Sequence, residues 1–257
     1  MPQAKQLSYT DSGTGDVLLL IHGFCGSQKY WQKIVPLLNQ DFRVITVDLR
    51  GHGTNNAVGE SFTIEDLAKD IAAFLSEEAI EKPVVFGHSL GGYTALAMAE
   101  LYPDLLRGFS LVHSTAYPDD EQGKEERMRS IQTIEENGMT VFVDNLVPKL
   151  FADSDSPEQQ EAVQLAKQIG LETDKEAAVQ TLLAMRDRRD RNDVFQNTNL
   201  PVLLVAGKKD KVIAPEKTFS VKRPNIKEAV LEESGHMGML EEPEKLAETI
   251  RNFVHSL

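Results

Sequence analysis

The chain alternates two hydrophobic textures. Short apolar runs at residues 17–22, 42–48, 84–88, 106–112, 201–206 and 228–231 are rich in Val, Leu and Ile, and several stop at His, Asp or Gly. Their length and composition predict buried strands. Between them apolar residues recur at helical spacing. Residues 61–75 place Ile64, Leu67, Ala68, Ile71 and Leu75 on one face, and Asp66 and Asp70 on the opposite, polar one. Residues 93–101, rich in Ala, Leu and Met, and the final segment of the chain also read as helices. Strands alternating with helices predict an α/β fold with a mostly parallel, twisted sheet. Right-handed crossovers would put helices on both faces, with the ligand site at the carboxyl ends of the strands. One more strand-like segment, residues 6–10, precedes a Gly13-Thr14-Gly15 turn.

The alternation breaks between His113 and Leu200, where no convincing strand occurs. Residues 124–137 carry Met128, Ile131 and Ile134 on one stripe and stop at Gly138. Residues 140–151 are strongly apolar (Val141, Phe142, Leu146, Leu150), and Pro148 is expected to kink or interrupt them. Ser156-Pro157 reads as an N-cap followed by proline at the first helical position, and Thr173 to Glu176 as a capping box for a helix through Met185. The run Met185-Arg-Asp-Arg-Arg-Asp-Arg191 reads as a solvated helix end. The expected division is a core of residues 1–113 and 200–257, with residues 114–199 as a helical cap inserted into a single domain. The apolar excess between 140 and 151 is more than an exposed insert needs, so Phe142 and Leu146 are expected to line a pocket, with His113 at the cap entrance.

Chemistry concentrates at the strand ends. The run at 84–88 leads into Gly87-His88-Ser89-Leu90-Gly91 and then a helix. That pattern lifts a serine hydroxyl clear of the backbone at a tight strand-to-helix turn, beside the free N–H groups of the helix start. Downstream, Asp210 follows the 201–206 strand and His236 follows the 228–231 strand. The order Ser89, Asp210, His236 suits a nucleophile, an acid and a base on loops after successive strands of one parallel sheet. Asp48, also at a strand end, fits that order less well. His22, His52 and His88 read as residues that hold turns or pack beside the sheet, and His255 as a surface residue. Cys25 reads as packing. No Cys/His or His-x-x-His cluster suggests a metal, and no cofactor motif occurs.

Four motifs together resemble the α/β-hydrolase superfamily, in particular its small capped esterase and lactonase branch. They are His22-Gly23-Phe24, Asp48-Leu-Arg-Gly-His-Gly53, Gly87-His-Ser-Leu-Gly91, and Gly207 to Asp210 with His236, and they span nearly the whole chain. One departure is the single strand-like segment before Gly13, where relatives usually have two. The resemblance implies an oxyanion hole formed by the backbone N–H groups of Phe24 and Leu90, and a structural role for the loop at Asp48. It implies a serine hydrolase that cleaves a small carboxylic ester, lactone or thioester through an acyl-enzyme on Ser89. Serine at the elbow excludes haloalkane dehalogenases and soluble epoxide hydrolases, which carry Asp there. Cofactor-free perhydrolases and carbon–carbon bond hydrolases share the triad and stay open, as does a receptor that keeps the triad and binds a small ligand and a partner protein.

Bulk composition narrows the rest. At 257 residues, 41% hydrophobic and 26% charged, the chain suits one globular domain with a full core. A net charge of −13 argues against nucleic acid or an anionic membrane as partner. The first six residues are polar and unlike a signal peptide, no apolar run approaches a membrane span, and the single cysteine fits a reducing compartment, so a cytoplasmic location is expected. The oligomeric state is left open.

Overall fold

The computed structural model describes residues 7–55 and 61–257. The hexapeptide read for a leader, and with it Gln6 at the start of the expected first strand, lies outside the described residues. Seven strands form one sheet: β1 (Tyr9–Ser12), β2 (Val17–Ile21), β3 (Arg43–Val47), β4 (Val84–His88), β5 (Gly108–Val112), β6 (Val202–Gly207) and β7 (Ile226–Leu231). Their spatial order is β1-β3-β2-β4-β5-β6-β7; β1 is antiparallel to β3 and every other pairing is parallel. Among the described residues β1 is the one strand ahead of β2, as the sequence suggests. Gly87 is level with Ile21 on one side and Leu111 on the other, and Val112 with Val205, so the loops after β2, β4, β5 and β6 open on one edge.

The helices are α1 (Val35–Leu38), α2 (Ile64–Glu77), α3 (Leu90–Leu101), α4 (Glu121–Leu150), α5 (Gln160–Leu171), α6 (Lys175–Arg186), α7 (Asn192–Asn197), α8 (Pro215–Thr218), α9 (Gly238–Glu241) and α10 (Pro243–Val254). Helix α3 is buried from Leu90 to Ala99, which is why its sequence is apolar all round. Helix α2 begins in a capping box, Thr63 with Asp66, and buries the expected stripe. Asp70 departs from expectation: it is buried, and its carboxylate takes both Arg50 Nε (2.8 Å) and Nη2 (2.7 Å). Arg50 reaches it from the loop after β3, so a position that looks polar along the helix is a tether across the fold.

Helices α4 to α7 fill the interval between β5 and β6. Helix α4 breaks at Gly138, whose φ of 80° and ψ of 173° lie outside the helical region, and then resumes. Pro148 does not interrupt it. Sitting two residues before the helix end at Leu150, it removes a single backbone donor and the helix runs through. Ser156 does not cap α5, which starts at Gln160; the Ser156 carbonyl instead accepts from Gln159 N (3.1 Å) in a preceding turn. The cap of α6 is Asp174 and not Thr173, its Oδ1 accepting from Glu176 N (2.9 Å) and Ala177 N (3.0 Å).

The arginine-rich run is solvated only in part, at Asp187, Arg189 and Asp190. Arg188 and Arg191 are buried. Arg188 pairs with Asp119 (2.8 Å) and lies 4.2 Å over the Tyr93 ring, while Arg191 pairs with Glu100 (2.9 Å) and Glu65. Tyr93 and Glu100 belong to α3 and Glu65 to α2, so these guanidiniums bind the helical interval to the core.

Candidate active site

Ser89 sits between β4 and α3 with φ 49° and ψ −111°, a conformation costly for a residue with a Cβ. Its neighbours hold it there. Ser89 N donates to Val112 O (3.0 Å), and the Ser89 carbonyl accepts from Gly92 N (2.9 Å) and Ser114 Oγ (2.7 Å). The flanking glycines serve close approach more than flexibility. A Cβ on Gly87 would lie 2.1 Å from Gly91 O, and one on Gly91 would lie 2.4 Å from Ile21 O. The strain is on the serine, and the glycines let three backbone segments meet beneath it.

Asp210 is in the turn after β6. Its Oδ1 accepts from Val212 N (2.8 Å) and Ile213 N (3.0 Å), and its Oδ2 accepts from His236 Nδ1 (2.8 Å). Burial opposes ionisation of Asp210, but His236 and His113 outweigh it and hold the carboxyl well below the usual carboxylate range. With Nδ1 committed to Asp210, the other ring nitrogen of His236 is available to the cleft that His236 lines together with Ser89.

The His236 loop has a support that sequence reading missed. Glu241 accepts from Gly235 N (2.9 Å) and Met237 N (3.0 Å), on either side of the histidine, and from Ala152 N (2.8 Å) at the end of α4. His236 N donates to Leu150 O (2.7 Å), and His88 Nε2 donates to His236 O (2.8 Å). Burial raises the Glu241 pKa despite these three donors. Glu241 closes the short α9, five positions after the histidine, and the adjacent Glu242 offers the same side chain, so no local signal picks it out.

Leu90 is the first residue of α3, and Phe24 lies in the turn after β2. Among the described residues neither backbone N–H has a hydrogen-bond partner. His22 anchors the second turn, its Nε2 accepting from Leu49 N (2.9 Å) and its Nδ1 donating to Gly23 O (2.7 Å). Asp48 is buried and accepts from Gln28 N (2.7 Å) and Thr54 N (3.1 Å), away from His236. Burial pushes the Cys25 thiol up to about 12, so it stays protonated and unreactive near neutrality.

Above Ser89 opens a cleft of about 860 Å³ whose walls include Phe24, Tyr93, Phe142, Leu146 and Met185. Phe142 and Leu146 are both in its lining. Val141, a neighbour in the same apolar stripe, is 43% exposed and points elsewhere. His113 is not in the cleft wall. It is fully buried, with Nδ1 3.6 Å from Asp210 Oδ2, because its backbone turns (φ 49°) and carries the ring behind the acid. Among the described residues no three His, Cys, Asp or Glu side chains converge as metal ligands, and no helix is long and apolar enough to cross a membrane.

Residues 16–243 match the family model described as the alpha/beta hydrolase fold. A thermophilic esterase from Thermogutta terrifontis, solved with malate bound, superposes with a TM-score of 0.92 at 30% identity, covering 97% of this chain and 93% of that one. The chain is 26% identical over 255 residues to 2-(acetamidomethylene)succinate hydrolase of Mesorhizobium japonicum, covering 96% of this chain and 91% of that protein. It is 25% identical over 228 residues to 3-oxoadipate enol-lactonase 1 of Acinetobacter baylyi, covering 88% and 84% respectively.

Proposed function

The chain belongs to the α/β-hydrolase family, and from that premise we propose that it cleaves a small carboxylic ester or lactone through an acyl-enzyme on Ser89. The observation that carries the reading is the strained Ser89 at the floor of a cleft shared with His236, whose Nδ1 is held by a buried, ionised Asp210. Similarity to an esterase and an enol-lactonase supports the substrate class.

In this reaction the Ser89 hydroxyl oxygen attacks the carbonyl carbon as His236 takes its proton. Asp210 fixes the tautomer that leaves His236 able to accept, then stabilises the imidazolium. Negative charge develops on the carbonyl oxygen and is received by the free N–H groups of Phe24 and Leu90, each such donor being worth about 3–4 kcal/mol of barrier. Collapse expels the alkoxide, which takes the proton from His236. Water, deprotonated by the same ring, then attacks the acyl carbonyl; the Ser89 Oγ–acyl bond breaks, Ser89 Oγ takes the proton back from His236, and the carboxylic acid leaves. Residues 114–199 act as a cap on this reading, over a core of residues 1–113 and 200–257.

A series of p-nitrophenyl esters from acetate to octanoate, with small lactones alongside, tests it. Wild type turns over at least one of these classes, and Ser89→Ala reduces kcat by about 10⁴ or more while its thermal unfolding stays cooperative. Near wild-type turnover by Ser89→Ala removes the serine from its role. Binding of esters without turnover by the wild-type chain favours a receptor instead.

A further inference from the structure

The whole chain carries a net charge of −13, yet its cleft is cationic. Six Lys and Arg side chains line it against three carboxylates. The carboxylates are already engaged. Asp119 lies between two guanidiniums, taking Arg127 Nε (3.0 Å) and Arg188 Nη1 (2.8 Å). Asp120 caps α4 through Gly123 N (2.8 Å), and Glu126 accepts from Gln122 Nε2 (3.3 Å) and lies 4.0 Å from Arg129. Several cations are left over. Among the described residues no hydrogen bond or ion pair uses Arg127 Nη1 or Nη2, Lys149 Nζ or Lys217 Nζ, and Lys211 Nζ meets only the Ala152 carbonyl (3.1 Å).

Position makes the excess useful. Arg188 is buried beneath the Tyr93 ring, anchored by its bonds to the carbonyls of Met185 (2.7 Å) and Tyr117 (3.2 Å). It fixes Asp119, and Asp119 in turn holds Arg127 by its Nε, leaving the two terminal nitrogens as a planar fork in the cleft wall. Such a fork matches a carboxylate in two-point geometry, where a lysine offers only a point charge. An anion here also relieves the unbalanced positive charge of the Arg127–Asp119–Arg188 group.

We propose that the cleft takes esters or lactones bearing a second, free carboxylate remote from the scissile bond, with Arg127 as the residue that binds it and Lys149, Lys211 and Lys217 drawing the anion in. This rests on the hydrolase reading above. The exposed lysines contribute mainly to encounter, which salt screens, and Arg127 to the bound state.

The test compares monomethyl glutarate with methyl 5-methylhexanoate, which replaces the carboxylate by an isopropyl group of similar shape. The butyrate ester of 3-hydroxypropanoate, beside isoamyl butyrate, puts the carboxylate on the alcohol side. The expected result is that one of the two anionic esters is preferred over its neutral mate by about tenfold or more in kcat/KM. Arg127→Met should erase that ratio chiefly through KM, Arg127→Lys should restore part of it, and 0.5 M NaCl should shrink it. If Arg127→Met does not fold, the double variant Lys149→Gln/Lys217→Gln and the salt series still read the ratio. Hydrolysis of neutral esters with no preference for either anionic one overturns the proposal and leaves the hydrolase reading intact. If no ester is turned over, glutarate titrated calorimetrically into Ser89→Ala and into the Ser89→Ala/Arg127→Met pair decides alone: binding lost with Arg127 supports the anion site, and no binding in either sinks it.

Discussion

Around Ser89 the chain is held by its own backbone. Val112 O, Gly92 N and the carbonyls beneath Gly87 and Gly91 fix one residue in an unfavourable conformation, with close-packed β2, β4 and β5 behind it. Across the cleft, the helices between β5 and β6 share apolar packing with the core and add buried side-chain charges to it, through Arg188 over Tyr93 and Arg191 with Glu65 and Glu100. The first arrangement has few alternatives, since displacing any strand breaks the turn. The second can exchange partners, because a guanidinium serves any carboxylate within reach. On the proposed reading, the chemistry that tolerates little movement falls on the backbone-held side and the wall that would read the substrate on the charge-held side.

The sharpest way to break that contrast is at Asp210. Asp210→Asn keeps the size but leaves the amide unable to hold His236 in the accepting tautomer, so kcat on p-nitrophenyl acetate should fall by about 10⁴. A loss smaller than tenfold would move the acid elsewhere. The same variant has a signature in stability. Asp210 ionises more readily folded than unfolded, so the unfolded chain binds more protons at acid pH. Its contribution is therefore present above the ordinary carboxylate range and lost as pH falls below it. Urea midpoints measured from pH 7 down to pH 3 should fall in wild type and fall less steeply in Asp210→Asn. Parallel curves would show that this carboxylate does not drive acid unfolding.

Next in size is the charge-held side. Arg191→Met strips both Glu65 and Glu100 of a buried partner, at a cost of about 3 kcal/mol, near the low end for broken buried pairs because both glutamates keep some solvent. Arg189, 46% exposed beside the same Glu100, is the control; Arg189→Met should cost about 1 kcal/mol or less. Both are read from urea unfolding at neutral pH. Equal effects for the two would mean that burial of Arg191 adds nothing, and that packing alone seats these helices.

Sequence legibility follows the same divide. The strands, the elbow and the order Ser89, Asp210, His236 could be read because each depends on residues adjacent in the chain: an apolar run, a glycine pair, a strand end. What could not be read depends on residues far apart. Asp70 looks solvated along its helix, and only Arg50 arriving from another loop makes it a buried partner. Arg188 and Arg191 look like the frayed end of a basic helix until Asp119 and Glu100 are brought to them. His113 stands at a strand end like a pocket residue, but its positive φ turns the ring behind Asp210. Glu241 clasps both flanks of His236, and nothing local distinguishes it from Glu242. The cap of α6 slipped by one residue because Thr173 and Asp174 offer nearly equivalent oxygens and turn geometry chooses between them, whereas α5 starts at Gln160 behind Gln159 with no side-chain cap at all.

The smallest expected effect tests whether the charge-held side reads the acyl group. Leu146 is partly buried and faces the cleft, whereas Val141 on the same helix faces outward. Truncating Leu146 to Ala enlarges the wall without touching Ser89, Asp210 or His236. A hydrophobic wall discriminates by only about 1–3 kcal/mol per methylene, so the change should be graded across the series and not a switch. Leu146→Ala should shift the optimum of the p-nitrophenyl series toward longer acyl chains, with acetate kcat/KM altered less than threefold or so and longer esters changed by about tenfold. Val141→Ala, outside the cleft, should leave the profile where it is. A uniform loss on every ester from Leu146→Ala would mean general loosening of α4, and a shift of equal size from Val141→Ala would mean that helix position, and not contact with the acyl chain, sets the preference.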